Sequence, residues 1–250
     1  MKKILLILLA LTLAFSSFAL VSCDKGDGAK FIATLSGKTP EELYEVAQAK
    51  LKAAGSYSVA TSQNITMSAN GQTMTMTQTA ISKISGDNSY FKSTNSLDSS
   101  ADIEAWYVDG IVYACKVGVK NKAEITKEEY MQKYMNADPS ESTLLNIPES
   151  WFEDIKFKQE GDKWSLNFVV SGEKYSELLG NLNLGGTITG NVKYKLVFDG
   201  EGNIEKLVTT FGMKVSGVKA TCVSESIIKI EAVTVEPPAD ADSYQTVVLP

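Results

Sequence analysis

Apolar residues recur at spacings of three and four between Leu43 and Ala54, and at a spacing of two from Tyr57 onward. The first period belongs to one face of a helix and the second to one face of a strand. Thr39 suits an N-cap, Pro40 the first helical position, and Glu41 and Glu42 the positive end of the helix dipole. Gly55 suits the C-terminal cap. A helix is therefore predicted with Leu43, Val46, Ala47, Leu51 and Ala54 on its apolar side. Past it, Tyr57, Val59, Ile65 and Met67 share one strand face, and Asn70-Gly71 is a strong hairpin signal. Taking those two residues as the loop sets Met67 opposite Met74 and Ile65 opposite Met76, with Ser, Thr, Asn and Gln assigned to the other face.

The strand pattern continues. Asp87-Asn88 is read as a turn into a strand around Tyr90 and Phe91. Asp109-Gly110 turns a second hairpin, pairing Trp106 with Tyr113 and Val108 with Ile111, and Tyr107 and Val112 point to cover on both faces. The middle turns helical. Thr126 and Glu129 make a capping box, and Tyr130, Met131, Tyr134 and Met135 form an apolar stripe behind it. Ile155 and Phe157 then pair across Gly161-Asp162 with Trp164 to Val170, and a short helix is expected near Lys174 to Leu179. A meander follows: Ile188 to Phe198, a turn at Asp199 to Asn203, Phe211 to Val215, and Val218 to Ile230. Pro237-Pro238 ends the pattern. The sum is α+β: one helix, then nine to eleven mostly antiparallel strands with a helical insert. Strands of roughly 10–13 residues bend strongly or close. A strongly curved antiparallel sheet, or open half-barrel, with helices packed in its concave face is expected.

The N-terminus changes the picture. Lys2 and Lys3 precede an apolar run from Ile4 to Leu13, too short to span a bilayer comfortably, and small residues follow. That is a secretory signal. Leu20-Val21-Ser22-Cys23 resembles the lipobox of bacterial lipoproteins. The resemblance implies cleavage after Ser22, diacylglycerol on the Cys23 thiol, and acylation of the new amine with a fatty acid such as palmitate. Two acyl chains suffice for stable anchoring where one is marginal. The expected divisions are a signal at 1–22, a lipidated tether at 23–38, a domain at 39–236 and a C-terminal tail at 237–250. The expected location is the extracytoplasmic face of the cell membrane, held by lipid.

Composition removes several function classes. Without the signal, 22 lysines face 30 acidic residues, and there is neither arginine nor histidine. An acidic chain without arginine is a poor nucleic-acid binder. Serine and cysteine triads lack their usual base. Ser226 and Lys229 match a Ser-x-x-Lys spacing, but on a strand residues three apart face opposite sides. Asp199, Glu201 and Asn203 offer oxygens suited to calcium or, more simply, to a turn. No metal, no cofactor and no enzymatic activity is expected. Cys115 and Cys222 either bridge each other, which export permits, or remain two buried thiols.

The order of elements, from lipobox and tether through a capped helix ending in glycine, Ser56-Tyr57 opening a long hairpin, a helical insert and a closing meander, resembles the LolA/LppX-like lipoprotein carriers. Thr39 to Ser68 looks like the start of the domain in many small Gram-positive lipoproteins of unknown function. The resemblance implies a hydrophobic ligand, a lipid or acyl chain, held in a half-barrel cavity. Candidate lining residues are Tyr57, Val59, Ile65, Met67, Met74, Met76, Tyr130 and Met131. The methionines suit a surface that adapts to varied chains, or fill gaps in an ordinary core. The alternative function is a cell-envelope interaction or regulatory protein with no ligand cavity.

Overall fold

The structure is a computed structural model and describes residues 40–69, 71–130, 149–160, 163–181, 187–215 and 217–248. The N-terminal helix runs Pro40–Ala54. Gly55 follows it at φ +63°, the left-handed conformation that ends helices. Ser56 then opens the first strand without a further linker.

Twelve strands form one sheet among the described residues: β1 Ser56–Ala69, β2 Gln72–Ser85, β3 Asn88–Asn95, β4 Ile103–Val108, β5 Ile111–Lys116, β6 Val119–Glu124, β7 Phe152–Glu160, β8 Lys163–Val170, β9 Thr187–Phe198, β10 Ile204–Val215, β11 Val218–Lys229 and β12 Gln245–Thr246. The order across the sheet is β12-β6-β5-β4-β3-β2-β1-β11-β10-β9-β8-β7. The two end strands do not pair with each other, so the sheet is open, and every pairing is antiparallel except β12 with β6. Two runs of sequential hairpins, β1 to β6 and β7 to β11, are stitched at one seam by β1 against β11.

Turn chemistry accounts for the local registers. Met67 lies opposite Met74 and Ile65 opposite Met76, as the Asn70-Gly71 loop predicts. Asp109 and Gly110 take φ of 51° and 81°, the doubly left-handed turn that suits a two-residue hairpin. It pairs Val108 with Ile111 and Trp106 with Tyr113. Ser85 pairs with Asn88, so the turn residues there are Gly86-Asp87, one earlier than the sequence reading. Glycine at φ +59° is the better left-handed residue, which decides the shift. Val117-Gly118 makes a further two-residue turn that the sequence reading did not anticipate, with Gly118 at φ +75° and Val117 itself at φ +53°. The Asp199 carboxylate accepts from the backbone N–H groups of Glu201 at 2.9 Å and Asn203 at 2.8 Å, and so closes its own turn. Register shifts between Glu153 and Lys156, Ile204 and Lys206, and Thr210 and Gly212 mark bulges, where strands bend.

One face of the sheet, here called the inner face, carries the core. Val59, Ile65, Met76, Leu166, Phe168, Leu196, Phe198, Phe211 and Ile228 belong to a single buried cluster. Ala47 and Leu51 of the N-terminal helix join the same cluster. The second helix, Gly172–Asn181, lies against β9. A third helix begins at Lys127. Its capping box is formed: Glu129 N–H donates to Thr126 Oγ1 at 3.2 Å, and Thr126 N–H to Glu129 Oε2 at 3.1 Å. None of the described helices is long and apolar enough to cross a membrane.

The segment after Pro237-Pro238, expected as a C-terminal tail, returns to the sheet. Gln245 pairs beside Asn121, and Val247 N–H donates to the Lys122 carbonyl at 2.9 Å. Tyr244 is buried on the outer face, edge-on to Trp106 at 6.4 Å and Tyr113 at 5.5 Å. This aromatic cover on one face and the Tyr107–Tyr130 stack at 4.7 Å on the other bury the β4–β5 hairpin from both sides.

Candidate functional site

Strand parity builds the site. On β1 the odd positions face inward, so Tyr57 and Val59 at one end and Ile65 and Met67 at the other present apolar side chains to the same face, with Thr61 and Gln63 between them. On β2 the even positions do the same, and Met76 lies fully buried opposite Ile65. Tyr130 reaches the same cluster from its helix. Six of the eight expected lining residues are thus gathered on the inner face. Met74 is not enclosed. It shares their parity but is 45 % exposed. The reason is topological: β3 ends at Asn95 opposite Gln78, so the tip of β2 beyond it has no strand on that side. Met131, Cys23 and the lipobox residues Leu20, Val21 and Ser22 lie outside the described residues, as does the side chain of Leu43.

The same parity brings polar residues inward, against the expectation that they all face out. Thr209, Ser224, Gln63, Gln78 and Asn95 stand opposite one another in register across β10, β11, β1, β2 and β3. Ser226 pairs with Thr61 in the neighbouring row, their hydroxyls 2.8 Å apart. Gln63 and Gln78 retain only 2 % and 3 % of their exposure. Buried amides ordinarily satisfy both ends. Here Gln63 Nε2 donates to the Cys222 sulfur and Gln78 Nε2 to Ser93 Oγ at 2.9 Å. Their Oε1 atoms have no hydrogen-bond partner among the described residues. Asn95 Nδ2 donates to the Met76 sulfur at 3.0 Å. Thiol and thioether sulfurs are weak acceptors. The belt is polar and buried, and two of its amide oxygens are left unmatched among the described residues.

The sequence held a signal for this belt. Gln63 has the parity of Val59 and Ile65, and Ser224 that of Cys222 and Ile228, so counting by two places them inward. Polarity alone assigns Gln63 to the wet face, and strand parity overrides it.

Beyond the belt the face is aromatic. Phe168 stacks on Phe152 at 3.9 Å and on Tyr194 at 5.0 Å, and Phe157 stacks on Trp164 at 4.7 Å. Burial raises the Tyr175 hydroxyl well above the ordinary phenol range, despite a hydrogen bond with Tyr194 that lowers it. Burial likewise pushes the Cys222 thiol up to about 12, with the Gln63 amide opposing. Both groups are neutral at physiological pH and serve as packing.

Cys115 and Cys222 are free. Cys115 shares the outer-face parity of Tyr113 on β5, whereas Cys222 points inward on β11. A bridge cannot reach through the sheet; both thiols are free, Cys222 buried and Cys115 only partly so. Ser226 faces in and Lys229 faces out, as strand geometry requires of positions three apart.

No curated protein matches the chain. Among solved structures, the lipoprotein LppX of Mycobacterium tuberculosis is similar at 9 % identity and a TM-score of 0.42, over 80 % of this chain and 100 % of that one. LprF of Mycobacterium bovis gives 10 % and 0.41, over 80 % and 97 %. A LolA-superfamily protein from Nitrosomonas europaea gives 10 % and 0.27, over 79 % and 96 %. These are the kinds of protein that the order of elements resembles; the functional reading below rests on this chain's own residues. Residues 39–196 match the model of DUF6612, a family of unknown function, and the chain belongs to that family.

Proposed function

We propose that the chain is a lipoprotein, anchored through Cys23 on the extracytoplasmic face of the membrane, that holds a lipid or acyl chain against the inner face of its sheet. In this reading the sheet is strongly curved, the helices close its concave side, and the chemistry is binding rather than catalysis. The observation that carries it is the meeting of Tyr57, Val59, Ile65, Met67, Met76 and Tyr130 in one apolar cluster on an open sheet. Flexible methionines beside rigid aromatics let such a surface accept chains of varied shape. Burial of ligand surface at roughly 25 cal/mol per Å² supplies the driving force. The lipobox resemblance of Leu20-Val21-Ser22-Cys23 supports the address.

The Cys23→Ala chain separates anchor from ligand. The parent is expected to incorporate radiolabelled palmitate and sediment with membranes, and the variant to do neither. Because the variant carries no covalent lipid, any lipid in its organic extract comes from the binding site. About one lipid per chain by mass spectrometry supports the reading; a lipid-free extract sinks the ligand, and unchanged fractionation sinks the anchor.

A second reading has its own observation. Ile81 and Ile227 flank Ala60 on the outer face and stay 44 % and 37 % exposed. That apolar row favours a protein contact of the envelope. A stoichiometric partner lost on Ile81→Lys, with no lipid extracted, would favour it.

A further inference from the structure

We propose that the inner-face belt centred on Gln63 and Gln78 seats the hydroxyls of a neutral amphiphile, such as the glycerol of an uncharged acylglycerol, with its chain lying along the flanking apolar rows. This deepens the ligand reading above and rests on it.

The argument begins with two adjacent glutamines. Gln63 and Gln78 are direct cross-strand partners, so their Cβ atoms lie about 5 Å apart and both side chains project to the inner face. Each amide uses one end within the protein and leaves the other without a partner among the described residues. A buried polar atom left unmatched forfeits its hydrogen bond to water without replacement, so two together are an unfavourable way to fill a core. Methionine or leucine would fill the same space without that cost. The unmatched ends therefore point to something that completes them.

Their chemistry selects the group. A side-chain oxygen needs a donor. Turning either amide over would expose N–H instead, which needs an acceptor. A hydroxyl is both, and satisfies the pair in either orientation. The belt around them consists of Thr61, Ser93, Thr209 and Ser224, with no charged side chain among these neighbours. A phosphate or carboxylate there would be buried without a counter-charge, which excludes an ionised headgroup. On either side the rows turn apolar, with Ile65 and Met76 beyond one edge and Val59 and Ile228 beyond the other. A polar centre between apolar flanks is the imprint of a small uncharged headgroup on an aliphatic chain.

The test uses the purified full chain and two probes of equal chain length. 1-Monodecanoylglycerol carries two free hydroxyls, and methyl decanoate carries none. The parent is expected to bind the glyceride at least about tenfold more tightly, the scale of one or two completed hydrogen bonds. Gln63→Met/Gln78→Met should bind both probes with the parent's affinity for methyl decanoate. A readout on the parent guards against a variant that fails to fold. The side-chain amide NMR signals of Gln63 and Gln78 should shift with the glyceride and stay in place with methyl decanoate. Equal binding of the two probes, or unmoved amide signals, overturns the inference, leaves the belt to ordered water, and keeps the apolar-ligand reading. Binding of neither probe overturns both.

Discussion

The two runs of strands on either side of the β1–β11 seam solve burial differently. From β7 to β11 the strands are mostly long and the inner face is apolar almost throughout. Leu166, Phe168, Val170, Val192, Leu196 and Phe198 are buried there, with stacked rings at the centre. From β3 to β6 the strands are six to eight residues long, and serines, Asn95 and alanines occupy much of the inward parity. That side gains its second layer from outside, where Tyr90, Trp106, Tyr113 and Tyr244 pack together under the returning C-terminal segment. Burial lifts the Tyr244 hydroxyl to about 12, and both burial and a hydrogen bond to Glu104 lift that of Tyr90. One half is held by a core of its own strands; the other adds to its smaller share of that core, Tyr107, Val112 and Ala123, a strap from far along the chain.

The comparison can be broken by mutation. Phe168→Ala empties the middle of a three-ring stack and should cost about 3–5 kcal/mol in chemical denaturation, exposing the whole β7–β11 run to hydrogen exchange. Tyr244→Ala removes only the strap's anchor. It should cost less, about 2–3 kcal/mol, with exchange rising in β4 to β6 and β12 while β8 to β10 stay protected. If Tyr244→Ala matched Phe168→Ala, or opened both halves alike, the two would form one cooperative unit and the contrast would fail. The smallest effect sharpens the picture. Val117 holds a left-handed conformation that a β-branched residue adopts only under strain, and its side chain is exposed. Val117→Asn should therefore stabilise by about 1 kcal/mol, read as a higher denaturation midpoint at unchanged slope. No gain would mean that the β5–β6 turn carries no strain.

Much of this was legible along the chain because it is decided between neighbours. The Asn70-Gly71 and Asp109-Gly110 hairpins followed from turn residues whose backbone preferences fix the loop, and the loop fixes the register. The Thr126–Glu129 box and the Gly55 cap were equally local. Gln63 was legible by parity but misread by polarity. Met74 was placed on the correct face, yet its exposure depended on where β3 stops.

What the sequence determined by itself is the hairpins with strong turn residues, their registers, and by parity which residues of a strand share a face. These rest on hydrogen bonds and dihedral preferences that act within a few residues. Only the tertiary structure decided that β1 pairs with β11, that the C-terminal strand returns parallel to β6, and that the two cysteines face opposite ways. Those pairings join residues as far apart as Ser58 and Lys229. Any strand edge can offer the same backbone groups, so the choice among partners falls to the burial of whole faces, which no local pattern specifies.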